Sequence, residues 1–220
     1  MKQPTNRIHR TLCTALAAAA LAGALSACAP LIIGGAVVGG VMAVDRRTAG
    51  TQVEDEGIEL RALNRLRETL GSRAHVNVTS YNRQALLTGE VPTAQDRQTA
   101  EQILSTVENV RSVVNDLAVM PPSTLSQRSN DTFITGKVRA SLVDAQDISA
   151  NSFKVVTERN IVYLMGRVSQ REANRATEIA RGVSGVSKVV RVFEIVSEEE
   201  LRSIAPQPAP VTTDSRPAGG

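Results

Sequence analysis

The chain contains one short pattern twice, as Leu86-Leu87-Thr88-Gly89-Glu90-Val91 and as Tyr163-Leu164-Met165-Gly166-Arg167-Val168, 77 residues apart. The downstream sequence continues the correspondence with an offset of 76, and nine of about thirty aligned positions are identical. The identities fall only at apolar or turn positions, as in the pair Ile103 and Ile179. Self-similarity of this kind indicates repeated structural units, so the sequence predicts two copies of one small fold.

Each copy shows helical and strand periodicity in the order helix, strand, strand, helix, strand. In the first copy, apolar residues recur at helical spacing from Ile58 to Leu70 and stop at Gly71. An alternating strand at Val76 and Val78 then turns at Asn82-Arg83. The remaining predicted elements are a strand over Ala85–Val91, a helix over Ala94–Val107 and a strand over Val110–Val119.

The second copy repeats this order. Asp131 or Ser129 is predicted to cap a helix whose inward positions are Ile134, Val138 and Leu142. A hairpin of Phe153–Thr157 and Ile161–Val168 around Arg159-Asn160, a helix over Ala173–Val183 and a strand over Val186–Val196 follow. The predicted fold class is therefore α+β: two tandem α-β-β-α-β domains, each a small three-stranded mixed sheet covered by two helices.

The first 27 residues have the features of a signal peptide, with a basic start and an apolar stretch from Leu12 to Leu25. Leu25-Ser26-Ala27-Cys28 resembles the lipobox of bacterial lipoproteins, in which the cysteine is acylated; ordinary secretion with cleavage at a small-x-small site is the alternative. Ala29 after the cysteine implies sorting to the outer membrane, by the rule known for such proteins. Cys28 is the only cysteine left after cleavage, so no intramolecular disulfide can form, and triacylation would give stable anchoring.

Charge argues against a nucleic-acid binder. The chain has 25 Lys+Arg and 22 Asp+Glu, and three of the bases lie within residues 1–27, so the remainder is balanced. A nucleic-acid-binding domain is expected to carry a clear basic excess. We therefore predict no nucleic-acid partner.

The predicted domain plan runs as a signal peptide over 1–27, a lipidated N-terminus and Gly-rich linker over 28–55, a first domain over 56–120, a linker over 121–129, a second domain over 130–197 and a disordered Pro-rich tail over 198–220. Residues 31–44 are uncharged but too short for a reliable transmembrane helix, which needs about 20 residues. The sequence leaves three alternatives for this stretch: contact with the bilayer surface, packing as a glycine-spaced helix, or a flexible spacer.

Candidate catalytic and metal-binding groups are scarce. After residue 27 the sequence has one histidine, His75, which we expect to be an exposed residue at the start of a strand. Without a second histidine or a free cysteine, neither a nucleophile–histidine pair nor a zinc site of usual spacing can be assembled. We predict no catalytic residue, no metal site, no cofactor and no enzymatic activity.

A glycine in the middle of the second strand and a helix ending in Val-x-Gly-Val-x-x-Val resemble the BON domain. The second copy carries this ending as Val183-Ser184-Gly185-Val186-Ser187-Lys188-Val189, whereas the first has Glu108-Asn109 in place of Ser-Gly. With the lipobox, the Gly-rich stretch, Asn77-Val78-Thr79 and Ser129-Asn130-Asp131-Thr132, the region from about Cys28 to Val196 is similar to outer-membrane lipoproteins with two BON domains.

The resemblance implies an outer-membrane lipoprotein on the periplasmic face that binds anionic phospholipids, such as phosphatidylglycerol and cardiolipin, through its second BON domain. It also implies a role in envelope integrity and enrichment at the division site. In that family the first helix of the second domain contacts the membrane through an aromatic residue after Asn-Asp-Thr. The matching residue here is Phe133.

The residues around Phe133 can also be interpreted directly. Phe133 lies about 100° around the helix from Ile134 in the core stripe, on the side of Lys137 and Ala140, and Arg139 lies near the other flank. An apolar residue beside cations suits a helix facing anionic lipid, which makes these four residues the candidate lipid site. Packing of Phe133 at the helix entry or against the other domain is the alternative.

Two other classes of function compete with lipid binding. In a periplasmic interaction module or envelope scaffold, protein would cover the Phe133 side, and an envelope partner would replace lipid. A wall-polymer binder would need exposed aromatic platforms, but the chain has only three Phe, two Tyr and no Trp. Exposure of Phe133 separates the first two classes.

Overall fold

The computed structural model describes residues 45–204, and both repeats have the predicted order of elements. Cys28, the Gly-rich stretch 31–44 and residues 205–220 lie outside the described residues. The first repeat comprises α1 (Ala49–Leu70), β1 (His75–Tyr81), β2 (Gln84–Val91), α2 (Ala94–Ser105), β3 (Ser112–Asn115) and β4 (Ala118–Val119). The second comprises α3 (Leu125–Asp144), β5 (Lys154–Glu158), β6 (Ile161–Val168), α4 (Gln170–Gly182), β7 (Lys188–Ile195) and α5 (Glu198–Ile204). Turns of 3-10 helix follow α1 at Gly71–Arg73 and precede β5 at Ala150–Ser152.

Both sheets are mixed, as predicted. In each repeat the hairpin strands pair antiparallel, and the last strand lies parallel to the middle strand. The single strand expected over Val110–Val119 is wrong, because Leu117 turns into the core and divides it into β3 and β4. The first sheet therefore has a fourth, two-residue strand.

Each hairpin turn is held by a buried aspartate of the preceding helix. The turn residues have left-handed φ angles of 50° and 66° at Asn82-Arg83 and of 52° and 60° at Arg159-Asn160. Both backbone N–H groups of the second turn donate to the carboxylate of Asp131, at 2.8–2.9 Å. The predicted turns are confirmed.

Asp131 and Ser129 do not cap α3, contrary to the prediction. Thr124 is the N-cap and forms a capping box with Gln127, which starts the helix at Leu125. The sequence carried this signal as Thr124-x-x-Gln127, one residue after Pro121-Pro122. Asp131 lies inside α3, where its carboxylate accepts hydrogen bonds from the hairpin turn and not from the first turn of the helix.

Three predicted boundaries also differ from the structure. Thr48 accepts a hydrogen bond from the Thr51 N–H, so α1 begins at Ala49 within the predicted linker 28–55. The linker predicted over 121–129 is shorter in the structure, because α3 already begins at Leu125. Residues 198–204 form α5 instead of disordered tail, since Leu201 is buried and three glutamates occupy the first turn, where the helix dipole favours acids.

Each sheet is buried on both faces. Its outer face packs against its own two helices, with Leu87 in the first core and Leu164 in the second. The opposite faces meet in a third apolar cluster, which contains Tyr81, Leu86, Tyr163, Met165 and Val192. The domains thus form four layers, with helices outside and the two sheets between them.

Polar contacts surround this third cluster. Tyr163 Oη donates to Asp116 at 2.8 Å, and Lys154 Nζ donates to Glu59 at 2.6 Å. Asn82 Nδ2 donates to Glu194 at 2.6 Å. Because burial and directed hydrogen bonds act together here, the relative position of the two domains is specified by the sheet faces.

The residues before α1 contact both domains. Arg46 makes a bidentate ion pair with Glu172 at the start of α4, at 2.7 and 2.8 Å, and also donates to the Arg167 carbonyl at 2.9 Å. Arg47 pairs with the buried Asp55 of α1 at 2.8 Å. Burial raises the pKa of the Glu172 carboxyl, but hydrogen bonds from Arg46 and the Ser169 N–H outweigh that effect and hold it below its ordinary value.

We expect Arg46→Ala to lower the free energy of unfolding by about 1–3 kcal/mol at pH 7, since it leaves a mostly buried carboxylate without its partner. A carboxyl with a lowered pKa stabilises the fold above its unfolded pKa, and that stability is lost as the pH falls through the folded pKa. The difference between wild type and variant should therefore shrink below about pH 4. Urea unfolding at pH 7 and pH 3.5 measures it. Arg175→Ala, which breaks an exposed pair with Asp147, is the control and should change little at either pH.

Candidate functional site

The outward side of α3 carries exposed apolar residues that the second core does not use. The inward side packs Ile134, Val138 and Leu142 into the second core. On the outward side, Leu125, Phe133 and Val143 are 80, 67 and 68 % exposed. Ser129 and Thr132 also lie on this side, and their hydroxyls donate to backbone carbonyls of the preceding turn. Large apolar side chains exposed opposite the core-facing side mark a candidate surface for a partner or a membrane.

Lys137 borders this outward side next to Phe133. Its Nζ lies 5.0 Å from the centroid of the Phe133 ring and donates to the Ser184 carbonyl at the end of α4. Ala140 continues the same side along a shallow groove between α3 and α4 that Ile179 also lines. The structure therefore brings Phe133, Lys137 and Ala140 together, as the helical spacing predicted.

Arg139 lies on the opposite flank. Its guanidinium is 3.4 Å from the Val155 carbonyl of β5 and lines a cavity of about 390 Å³ together with Val143 and Asp45. The apolar centre of the outward side thus has one cation on each flank. Of the two acids of α3, Asp131 is buried at the hairpin turn and Asp144 is the last residue of the helix. Asp45 lines the cavity beside Arg139, and Glu178 lines the groove beside Lys137, but neither forms an ion pair with these cations among the described residues.

The equivalent helix of the first domain lacks these features. Asp55, Ile58, Ala62 and Leu66 of α1 occupy the places of the buried residues of α3, 76 positions earlier. By the same offset Gly57 stands in the place of Phe133, and Arg61 in that of Lys137.

Arg61 repeats the contact of Lys137, since it donates to the Glu108 carbonyl, but it is also paired with Glu54 at 2.6 Å. Only the second domain therefore combines an exposed aromatic ring with a cation that has no acidic partner among the described residues.

A second cluster lies between the domains. His75 Nδ1 is 3.1 Å from a carboxylate oxygen of Glu90 and 3.9 Å from one of Glu158. His75 is half-buried, so its expected exposure at the strand start is wrong. Spacing along the chain could not predict this cluster, because the sheet packing brings Glu158 to the other two residues.

A sequence profile of the BON domain matches residues 54–121 and 130–197, which is more than half of the chain. The chain belongs to the BON-domain family. The resemblance in the sequence and the α+β fold with two tandem BON domains are thereby confirmed.

Curated relatives of this BON protein include an outer membrane lipoprotein, DolP, of Haemophilus influenzae, which is 37 % identical over 77 % of this chain and 89 % of its own. A 21 kDa hemolysin of Actinobacillus pleuropneumoniae is 36 % identical over 70 % of this chain and 80 % of its own. These similarities support a lipoprotein of the outer membrane and cell envelope.

Among solved structures, CdsD, a structural protein of the type III secretion system of Chlamydia trachomatis, aligns over 72 % of this chain and 99 % of its own. The identity is 13 % and the TM-score is 0.27, which supports no functional argument. Within residues 45–204, no helix of the BON protein has the length and apolar character needed to cross a membrane.

Proposed function

We propose that this BON protein is a non-enzymatic lipoprotein on the periplasmic face of the outer membrane, anchored through acylated Cys28. Its helix α3 binds anionic phospholipid, such as phosphatidylglycerol or cardiolipin, and the protein thereby supports envelope integrity, including at the division site. The observation that carries the proposal is the exposed apolar side of α3 between Lys137 and Arg139. The 67 % exposure of Phe133 supports this proposal over packing of the ring at the helix entry or against the other domain.

The energies indicate a weak contact that depends on lipid composition. Transfer of a Phe side chain out of water contributes about 1.5–3 kcal/mol when it is complete, and each cation near an anionic surface contributes about 1 kcal/mol. The anchor provides residence at the membrane, since two or more acyl chains give stable attachment. The contact of α3 then makes the position of the protein sensitive to local anionic lipid.

The start of the described chain supports one membrane for both contacts. Asp45, the first described residue, lines the same cavity as Arg139 and Val143, so the start of the described chain lies beside α3. The ion pairs of Arg46 with Glu172 and of Arg47 with Asp55 hold this first described segment in place. A membrane anchor upstream of Asp45 is compatible with contact between the outward side of α3 and the same bilayer.

The test is co-sedimentation of a soluble fragment, residues 45–220, with vesicles of neutral lipid or of neutral lipid plus phosphatidylglycerol or cardiolipin. We expect binding to the anionic vesicles that weakens as salt rises, because exposed charges are screened. Folded protein that stays in the supernatant with every vesicle would contradict the proposal. An envelope protein would then be the expected partner of this surface.

A further inference from the structure

We propose that His75, Glu90 and Glu158 bind one divalent transition-metal ion, with Zn²⁺ as the best-fitting probe, and that this ion links the two BON domains. His75 and Glu90 face each other across the β1–β2 hairpin of the first domain. Glu158 ends β5 of the second domain. One ligand atom from each residue lies within 4.8 Å of the other two.

The distances are close to those of a metal site. Zinc bonds to imidazole nitrogen and carboxylate oxygen measure about 2.0–2.2 Å, which places neighbouring ligands roughly 3.3 Å apart in a tetrahedron. The distances from His75 Nδ1 to Glu90 and Glu158 are 3.1 and 3.9 Å, so small side-chain adjustments suffice.

The charge of the cluster favours a cation. The side chains of Glu90 and Glu158 are 0 and 4 % exposed, and the guanidinium of Arg159 lies 3.7 Å from Glu90 Oε1. Arg128 and Asp131, one group of each charge, also line the cavity beside Glu158. Glu90 Oε1 is fully buried and accepts no hydrogen bond from the described residues. Two buried carboxylates that converge on one imidazole, with one carboxylate oxygen lacking a hydrogen-bond donor, form a site where a bound cation would supply the missing partner.

The surroundings orient the ligands and leave a route of entry. Asn77 Nδ2 donates to the second oxygen of Glu158 at 2.8 Å, and the Ser123 N–H donates to Glu90 at 3.0 Å. Such outer contacts hold carboxylate ligands in position. A cavity of about 270 Å³ between the domains is lined by His75 and Glu158, so an ion and a water ligand can enter.

The donor set selects the class of metal. One imidazole nitrogen with two carboxylates suits Zn²⁺ and the neighbouring first-row ions, whereas Mg²⁺ and Ca²⁺ prefer oxygen ligands alone. The ion that cross-links the domains would therefore be a transition metal such as Zn²⁺, and not Mg²⁺ or Ca²⁺.

The experiment uses the full chain in detergent, freed of metal with EDTA and titrated with ZnCl₂ by calorimetry and by thermal unfolding. We expect one site per chain and a rise in Tm of about 5–10 °C at a hundred times Kd, with no such rise for MgCl₂. His75→Gln and Glu158→Gln should each weaken Zn²⁺ binding at least tenfold.

Glu194→Gln is the matched control, because it removes an interdomain carboxylate that contacts Asn82 and Arg111 outside the cluster. It should keep the Zn²⁺-dependent rise in Tm even if its metal-free Tm is lower. The proposal is overturned if Zn²⁺ leaves the wild-type Tm unchanged, or if the rise persists in His75→Gln and Glu158→Gln proteins that are folded by circular dichroism.

Discussion

Gly89→Ala is expected to cost about 3–5 kcal/mol of unfolding free energy, which would leave the first domain unfolded or marginal at 37 °C. Gly89 lies in the middle of β2 with a φ of 110°, a conformation that residues with a side chain rarely adopt. A Cβ atom there would stand 2.0 Å from the His75 carbonyl oxygen, on the paired strand. Because that oxygen belongs to the backbone of the same hairpin, it cannot move aside without breaking the sheet. Urea unfolding followed by circular dichroism measures the loss.

The matched control is Gly136→Ala in α3. A Cβ atom at Gly136 meets nothing within 4 Å, and alanine is the better helix former by about 1 kcal/mol. This variant should be slightly more stable than wild type. Equal stability of the two alanine variants would contradict the close approach of β1 to Gly89.

Phe133→Ala and Lys137→Glu are expected to weaken binding to anionic vesicles by about tenfold and about thirtyfold. The first variant removes the ring from the outward side of α3, with a loss of about 1.5 kcal/mol for partial burial. The second reverses a charge at an anionic surface, where each charge contributes about 1 kcal/mol. The two effects differ in their salt dependence, since screening acts on the lysine and not on the ring. Vesicle titrations at two salt concentrations therefore separate them.

Controls for both variants exist on α1 of the first domain. Val53→Ala removes an apolar side chain that is as exposed as Phe133, and Arg65→Glu reverses an exposed cation that contacts the end of α2. Neither control should change binding to the vesicles. If Val53→Ala and Phe133→Ala had the same effect, the second domain would not be the one that contacts lipid.

The fold could be predicted from the sequence because the repeat constrains both copies. Apolar spacing located Ile58 and Ile134 on the inward sides of their helices, and Asn82-Arg83 and Arg159-Asn160 marked the turns. The starts of α1 and α3 depend on local capping residues that the alignment of the two copies did not include. Thr48 and Thr124, which the offset of 76 also relates, start their helices upstream of the positions that the sequence comparison aligned, because a capping hydroxyl acts wherever it precedes a helical run.

The packing of the domains was not predicted, although one signal for it was present. Ile161 to Met165 is continuously apolar, a pattern typical of a strand that is buried on both faces. That pattern shows that a second face is covered but does not identify what covers it. The cluster of His75, Glu90 and Glu158 depends on this packing, so it could not be found from spacing along the chain.

The most direct test of membrane contact by α3 is the fluorescence of Phe133→Trp, since the natural chain contains no tryptophan. The single indole would report from position 133 alone, in residues 45–220 mixed with vesicles containing phosphatidylglycerol. We predict a blue shift of the emission and quenching by lipids brominated near the headgroup, with neither change for Val53→Trp. Emission at position 133 that keeps its value in buffer, while the protein sediments with the vesicles, would show that another surface makes the contact.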